Sequence, residues 1–288
     1  MKLLIFGKTG QVARELARHC PEGWQMTCLG REDADLGDPD ACAAALHGHA
    51  ADVVINAAAY TAVDKAENEE SLAATINGEA PMLMAQAAAA TGVPFLHVST
   101  DYVFDGSGDA PWKPDDPVAP LGAYGRSKLA GEDGVRGAGG VHAVLRTSWV
   151  FSAHGGNFLR TMLRLGGTRD RLTVVADQIG GPTAAADIAK ALLAMADAFH
   201  NGQGVSGTYH FAGAPDVSWA GFARAIFDQS GMAVEVVDIP ASDYPTPAAR
   251  PTNSRLDCSA LETVFGIARP DWRISLRDVL DDLSEKNE

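Results

Sequence analysis

The sequence predicts an α/β chain: a Rossmann-like, doubly wound parallel sheet with a smaller mixed α/β substrate-binding region. Three observations predict it. Short apolar runs alternate with Ala-rich stretches of helical length through the first half of the chain. The first run passes straight into Gly7-Lys8-Thr9-Gly10-Gln11-Val12-Ala13, a glycine-spaced turn that opens a helix. A later run ends in the polar group Ser99-Thr100-Asp101, as a strand does where it reaches the ligand-binding edge of an open sheet. Strands alternating with helices imply parallel pairing and right-handed crossovers.

The elements follow in order. Lys2–Phe6 reads as a strand, residues 11–19 as a helix and 26–29 as a second strand. Residues 39–46 form a short helix and 52–56 a third strand. Residues 67–91 are a long helical region in which Pro81 is expected to kink or break the helix, since proline lacks the backbone donor. Residues 93–99 read as a strand, 124–135 as a helix and His142–Thr147 as a strand. Beyond residue 150 the pattern loosens: helices are expected over 157–166, 184–199 and 219–231, and a strand over 234–239, between loops such as DQIGGPT and YPTPAARPTNSRL. Residues 1–150 are therefore read as the dinucleotide-binding domain. Residues 151–288 are read as mainly substrate-binding, with some elements returning to the first sheet.

Composition narrows the function. The chain has 288 residues, 46% of them hydrophobic, enough for a substantial core. With 23 Lys+Arg against 37 Asp+Glu the net charge is −14, which repels polyanions, so no nucleic-acid partner is expected. The 4 cysteines show neither a CxxC pair nor zinc-ligand spacing, consistent with reduced thiols in a cytoplasmic protein. The apolar start is broken by Gly7 and Lys8, and no run approaches the roughly 20 apolar residues that span a bilayer, so no membrane association is expected.

The glycine turn carries a phosphate-binding rationale. Gly7 permits the tight turn, Gly10 lets backbone approach a pyrophosphate, and Ala13 allows close helix–strand packing. Gln11 and Val12 then present free N–H groups at a helix N-terminus, where the dipole favours anions. After the second strand, Arg31 suits the 2′-phosphate of NADPH, with NADH also allowed. Asp35, Leu36, Ala57, Ala58 and Ala59 follow at strand ends, the alanines small enough for a cofactor to lie against backbone.

Tyr124 and Lys128 are spaced i, i+4 and share a helix face. A phenol titrates near pH 10, and a neighbouring ammonium is expected to pull it down into a usable acid/base range. Lys128 can also hold a ribose. Thr100, at a strand end, can hydrogen-bond both a carbonyl substrate and the Tyr124 hydroxyl.

In this order and spacing GxxGxxA, NAAA, STDYVFDG and YGRSKLAGE resemble the extended short-chain dehydrogenase/reductases. Adding RTSWVF, DQIGGPT and YPTPAARPTNSRL, the chain is similar over almost its whole length to the dTDP-4-dehydrorhamnose reductases. The resemblance implies hydride transfer from NADPH or NADH to C4 of a keto sugar carried on a nucleotide. Tyr124 is then the proton donor, Lys128 its partner and the ribose contact, and Thr100 an assistant. Implied substrate contacts fall on Thr100, Asp101 and Trp149, and implied cofactor contacts on Gly10 to Val12, Asp35, Leu36, Ala57 to Ala59, Val98, Tyr124 and Lys128. Read from chemistry alone, Trp149 either stacks on a sugar or fills a core. Arg250 and Arg255 have guanidinium forks suited to a diphosphate, and Asn157 is a further candidate there. Some family members form metal-linked dimers. Glu15 stands at a matching place, but Ala184-Ala185-Ala186-Asp187 lacks the corresponding glutamate, so no metal is expected and a homodimer stays open. The rivals are another 4-keto sugar reductase or epimerase, or a non-catalytic regulatory subunit of the same fold.

Overall fold

The computed structural model describes residues 1–285. The first half runs β1 (Lys2–Phe6), α1 (Gln11–Arg18), β2 (Gln25–Leu29), α2 (Pro39–His47), β3 (Val53–Asn56), α3 (Val63–Ala66), α4 (Glu70–Ala74), α5 (Ala80–Thr91), β4 (Phe95–Thr100), α6 (Ala123–Gly137) and β5 (His142–Thr147). The second half runs β6 (Val150–Phe151), α7 (Phe158–Gly166), β7 (Arg171–Val175), β8 (Ile179–Gly180), β9 (Thr183–Ala184), α8 (Ala185–His200) and β10 (Gly207–His210). It ends with β11 (Val217–Ser218), α9 (Trp219–Ser230), β12 (Glu235–Ile239), β13 (Asn253–Ser254), α10 (Ser259–Phe265) and α11 (Trp272–Glu285).

Six strands form one all-parallel sheet in the order β2-β1-β3-β4-β5-β10. Its central strands β1 and β3 are buried on both faces, as a doubly covered sheet requires. Leu3 and Ile5 of β1 pack with α1 and α8, whereas Leu4 and Phe6 pack with α2 and α5. The same alternation divides Val53 and Ile55 from Val54 in β3. Thus α8 and β10, from the second half, return to the first sheet. A separate apolar cluster holds much of the rest of the second half, joining Phe151, Leu159, Leu172, Phe222 and Trp272.

The long helical region breaks next to Pro81, as expected: α4 ends at Ala74, a π-helical turn occupies Thr75–Glu79, and Pro81 stands in the first turn of α5, where its missing N–H costs least. Buried Asn77 of the π-helical turn accepts from Tyr60 N at 2.8 Å and donates to Tyr60 O at 3.0 Å and Ser127 Oγ at 2.9 Å. That one side chain ties the loop after β3 to α6.

Candidate active site

β1 pairs with β2 on one side and β3 on the other, so the strand order reverses beside it and a crevice opens at the carboxyl ends. Gly7 leaves β1 with φ 109°, a conformation L residues rarely adopt. A Cβ there would lie 3.3 Å from Ala58 N, so the two chain segments meet backbone to backbone. Gly10 is the N-cap of α1 and supplies no side-chain cap. A Cβ there would meet nothing within 4 Å. The helix N-terminus therefore offers its first N–H groups to open space, a cradle that fits a pyrophosphate.

The crevice is a cleft of about 810 Å³. It is lined by Gly7, Gly10, Gln11 and Val12 from the turn, Arg31, Asp35 and Leu36 after β2, and Ala57, Ala58 and Ala59 after β3. Val98, Thr100 and Asp101 line it from β4 onward, Tyr124 and Lys128 from α6, and Trp149 from beyond β5. Arg31 is solvent-exposed and lies 3.7 Å from Asp35, so its charge is available at the rim. Lys8 is engaged by Glu32 at 2.9 Å.

The helix bearing Tyr124 is packed closely: a Cβ at Gly125 would collide with the Tyr102 carbonyl oxygen. The rings of Tyr102 and Tyr124 meet edge to face at 5.5 Å. Farther along α6, buried Glu132 accepts from Arg146 Nε at 2.9 Å, from Arg146 Nη2 at 2.7 Å and from Ser99 Oγ at 2.6 Å. Arg146 lies on β5 and Ser99 on β4, so a buried fork clamps α6 to the sheet below the site.

Burial pushes the Tyr124 phenol up to about 12, and the nearby Asp101 carboxylate adds to the rise, while a hydrogen bond with Thr100 opposes it. The lowering expected from Lys128 is not found. The Lys128 amine instead meets Val98 O at 2.8 Å and His97 Nε2 at 3.2 Å, and burial brings it down to about 8 against the pull of Glu132. Thr100 Oγ1 donates to Asp101 Oδ1 at 3.0 Å, and burial raises that carboxyl to about 6. A phenol with such a high pKa is protonated at neutral pH, which suits a proton donor.

Trp149 has φ 49°, the one non-glycine residue at positive φ among those described. Its ring stacks on Trp219 with centroids 3.5 Å apart. A Cβ at Gly180 would come within 2.9 Å of that ring, so glycine is needed there. Trp219 in turn lines a second cavity of about 740 Å³. Its walls include Phe158 and Met162 of α7, Arg171 and Val174 of β7, and Gln178, Tyr244 and Arg250. Arg250 donates to Asp64 at 3.0 Å, beside Val63, which lines the first cleft. The two cavities are thus neighbours, divided by the tryptophan pair and the Arg250–Asp64 bridge.

Two expected substrate residues line neither cavity. Arg255 donates to Asn253 Oδ1 at 3.0 Å, within its own segment. Asn157 caps α7 by accepting from Arg160 N at 3.1 Å and donates to Gln11 Oε1 at 2.8 Å. Its polar atoms are thus used in holding the fold, and it reaches the cleft through Gln11. Several lining residues were not singled out from sequence, among them Tyr60, Thr61, Ile76, Thr147 and Gly155. Tyr60 directly follows the alanine run and could have been found there. Trp219 carried no signal, because it enters only through long-range stacking. Among the described residues no group of His, Cys, Asp and Glu is placed to hold a metal.

The family model described as RmlD substrate binding domain matches residues 1–285. The chain belongs to the RmlD family. A dTDP-4-dehydrorhamnose reductase of Burkholderia thailandensis is 46% identical, with 97% of this chain and 99% of that protein covered. Among solved structures, a dTDP-4-dehydrorhamnose reductase from Clostridium acetobutylicum superposes with TM-score 0.93 at 37% identity, covering 99% of this chain and 100% of that one. A dTDP-4-dehydrorhamnose reductase from Bacillus anthracis in complex with NADP superposes with TM-score 0.92 at 31% identity, covering 98% and 99%. The likeness to RmlD members therefore runs through both cavities, not through the first half of the chain alone. No helix among the described residues is long and apolar enough to cross a membrane.

Proposed function

We propose that Tyr124 protonates the C4 carbonyl oxygen of a nucleotide-linked keto sugar held between Thr100 and Trp149. The chain is an NADPH-dependent oxidoreductase of dTDP-rhamnose synthesis that reduces dTDP-4-dehydro-β-L-rhamnose to dTDP-L-rhamnose. One observation carries the residue assignment: a phenol, a hydroxyl and an amine converge in the same cleft as a phosphate-binding glycine turn.

Gly7, Gly10, Gln11 and Val12 would hold the pyrophosphate, Ala57, Ala58 and Ala59 the adenosine side, and Lys128 the nicotinamide ribose. Asp35 and Leu36 would lie along the adenosine and Val98 along the nicotinamide, and Arg31 would favour the 2′-phosphate. When bound, NADPH supplies a hydride. The protein's part is to place the ketone and deliver the proton. Thr100, whose hydroxyl donates to Asp101, would turn that hydrogen to the carbonyl oxygen and orient it toward Tyr124. Tyr124, protonated at neutral pH, would give its proton to that oxygen and be left as phenolate, and a charged Lys128, moved off Val98 O and His97, would stabilise it. Arg250 faces the second cavity and would take the diphosphate, with the nucleoside beyond it. Arg255 would brace that segment, and Asn157 would brace Gln11. The acidic balance supports a small nucleotide partner rather than a nucleic acid, and the reading includes a cytoplasmic location and a homodimer without metal, checked by light scattering in the presence of chelator.

The test mixes protein, NADPH and the thymidine-linked 4-keto-6-deoxy sugar and follows nicotinamide absorbance. One NADPH consumed per rhamnosyl product is expected. Sugar conversion with no net NADPH loss would mark an epimerase instead.

A further inference from the structure

Behind the cleft wall, reaching it through Lys128, lies a buried triad. His97 on β4 is fully buried. Its Nδ1 lies 3.1 Å from Asn56 Nδ2, and its Nε2 lies 3.2 Å from Lys128 Nζ. The orientation of the Asn56 amide is decided by a third bond, because Ala58 N donates to Asn56 Oδ1 at 3.1 Å. Asn56 therefore turns its NH2 group toward His97, and Nδ1 must accept. A neutral imidazole carries one proton, so that proton sits on Nε2 and points at Lys128. Burial and the Lys128 charge both hold His97 well below its usual range, so the neutral ring is the relevant form.

This arrangement has consequences for Lys128. An ammonium has three donors and no acceptor, and one of those donors would face the Nε2–H head on. An uncharged amine satisfies every contact: it accepts from His97, donates to Val98 O and keeps one N–H for the cleft. We propose that Asn56 fixes His97 as the tautomer whose proton points at Lys128, and that His97 thereby acts as a positioning residue that favours the amine over the ammonium. The inference rests on Lys128 serving the cleft as assigned above. The charged group acting on this nitrogen is Glu132 on α6, and Tyr124 and Asp101 share its cleft. Glu132 favours the ammonium, but it is engaged by the Arg146 fork. Burial works in the same direction as His97, lowering Lys128. The protein thus sets the pH above which the lysine charge is lost, through a buried residue that does not line the cleft.

Two measurements on the full-length protein test this. The ¹⁵N ring spectrum of histidine-labelled protein, with the His97 signals identified by their loss in His97→Gln, should show an Nε2–H ring. An Nδ1–H ring overturns the proposal. The second measurement is the basic limb of the kcat/KM profile. In Asn56→Asp a carboxylate accepts from Nδ1–H, the tautomer reverses, and Nε2 accepts from the ammonium. In His97→Gln the amide can turn its oxygen to the ammonium. Both variants should move the limb upward by about one pH unit, the size of one hydrogen bond to a charged group. If His97 only fills the core, rates or stability fall while the limb stays in place, which overturns the proposal. An Nε2–H ring in a protein with no nicotinamide turnover would support the contact and strike the function assigned above.

Discussion

The two cavities are similar in size, about 810 and 740 Å³, yet they are built differently. The first is walled by backbone and small residues at strand ends: Gly7, Gly10, Ala57, Ala58 and Ala59. Its shape comes from the sheet, and its glycine turn falls within a dozen residues of the N-terminus. The second is walled by long side chains from distant segments: Phe158, Arg171, Trp219, Tyr244 and Arg250. Its shape comes from packing. A backbone-built site suits a cofactor common to many enzymes, and a side-chain-built site suits the partner that differs among them.

That contrast can be broken or sharpened by substitution. The largest effect is expected at the meeting of the two cavities. Tyr124→Phe should lower kcat by about 10²–10⁴-fold, the usual worth of a placed proton donor, while NADPH titration by fluorescence shows little change. Near-normal turnover would remove Tyr124 from the chemistry.

Asp101→Asn should change the pH dependence of stability. The carboxyl is raised to about 6 by burial, so the folded state holds a proton that the unfolded chain releases near its ordinary value. Stability is therefore fullest at acidic pH and falls as pH rises through that window. The asparagine variant should lose this fall and unfold at higher denaturant at pH 7, by on the order of 2 kcal/mol. Identical urea midpoints for both proteins across that range would refute the shift.

Arg250→Met should raise KM for the nucleotide sugar about tenfold, the worth of one charge-assisted bond, with NADPH affinity unchanged. Equal weakening of both ligands would mean the cavities do not divide the labour. Smallest of all, Arg31→Ala should weaken NADPH about threefold relative to NADH, because an exposed charge is screened. A ratio unmoved by the change would place the 2′-phosphate elsewhere.

The same contrast explains what could be read in the sequence. β1, the glycine turn, the alanine run and the spacing of Tyr124 and Lys128 are local patterns, and the structure brings these residues to one cleft. The second half was read less fully. β6, β8, β9, β11 and β13 have two residues each, too short for any periodicity, and exist through pairing partners far along the chain. Arg255 and Asn157 were chosen for their chemistry, but whether a fork faces a cavity or its own backbone depends on tertiary contacts. The effect of Lys128 on Tyr124 was misjudged for a related reason: spacing places the two on one face, but not the Val98 carbonyl and His97 that take up the amine. Pro81 marks where the long helical region breaks, but the π-helical turn that makes the break has no signature in the residue pattern.

The positive φ of Trp149 has a further meaning. Glycine would adopt that backbone without strain, yet glycine has no ring to lay on Trp219. The relaxed alternative would knock through the partition and merge two chambers into one. The chain tolerates local discomfort at a single point of its wall, and by doing so keeps two chambers apart, one floored by backbone and one walled by long side chains.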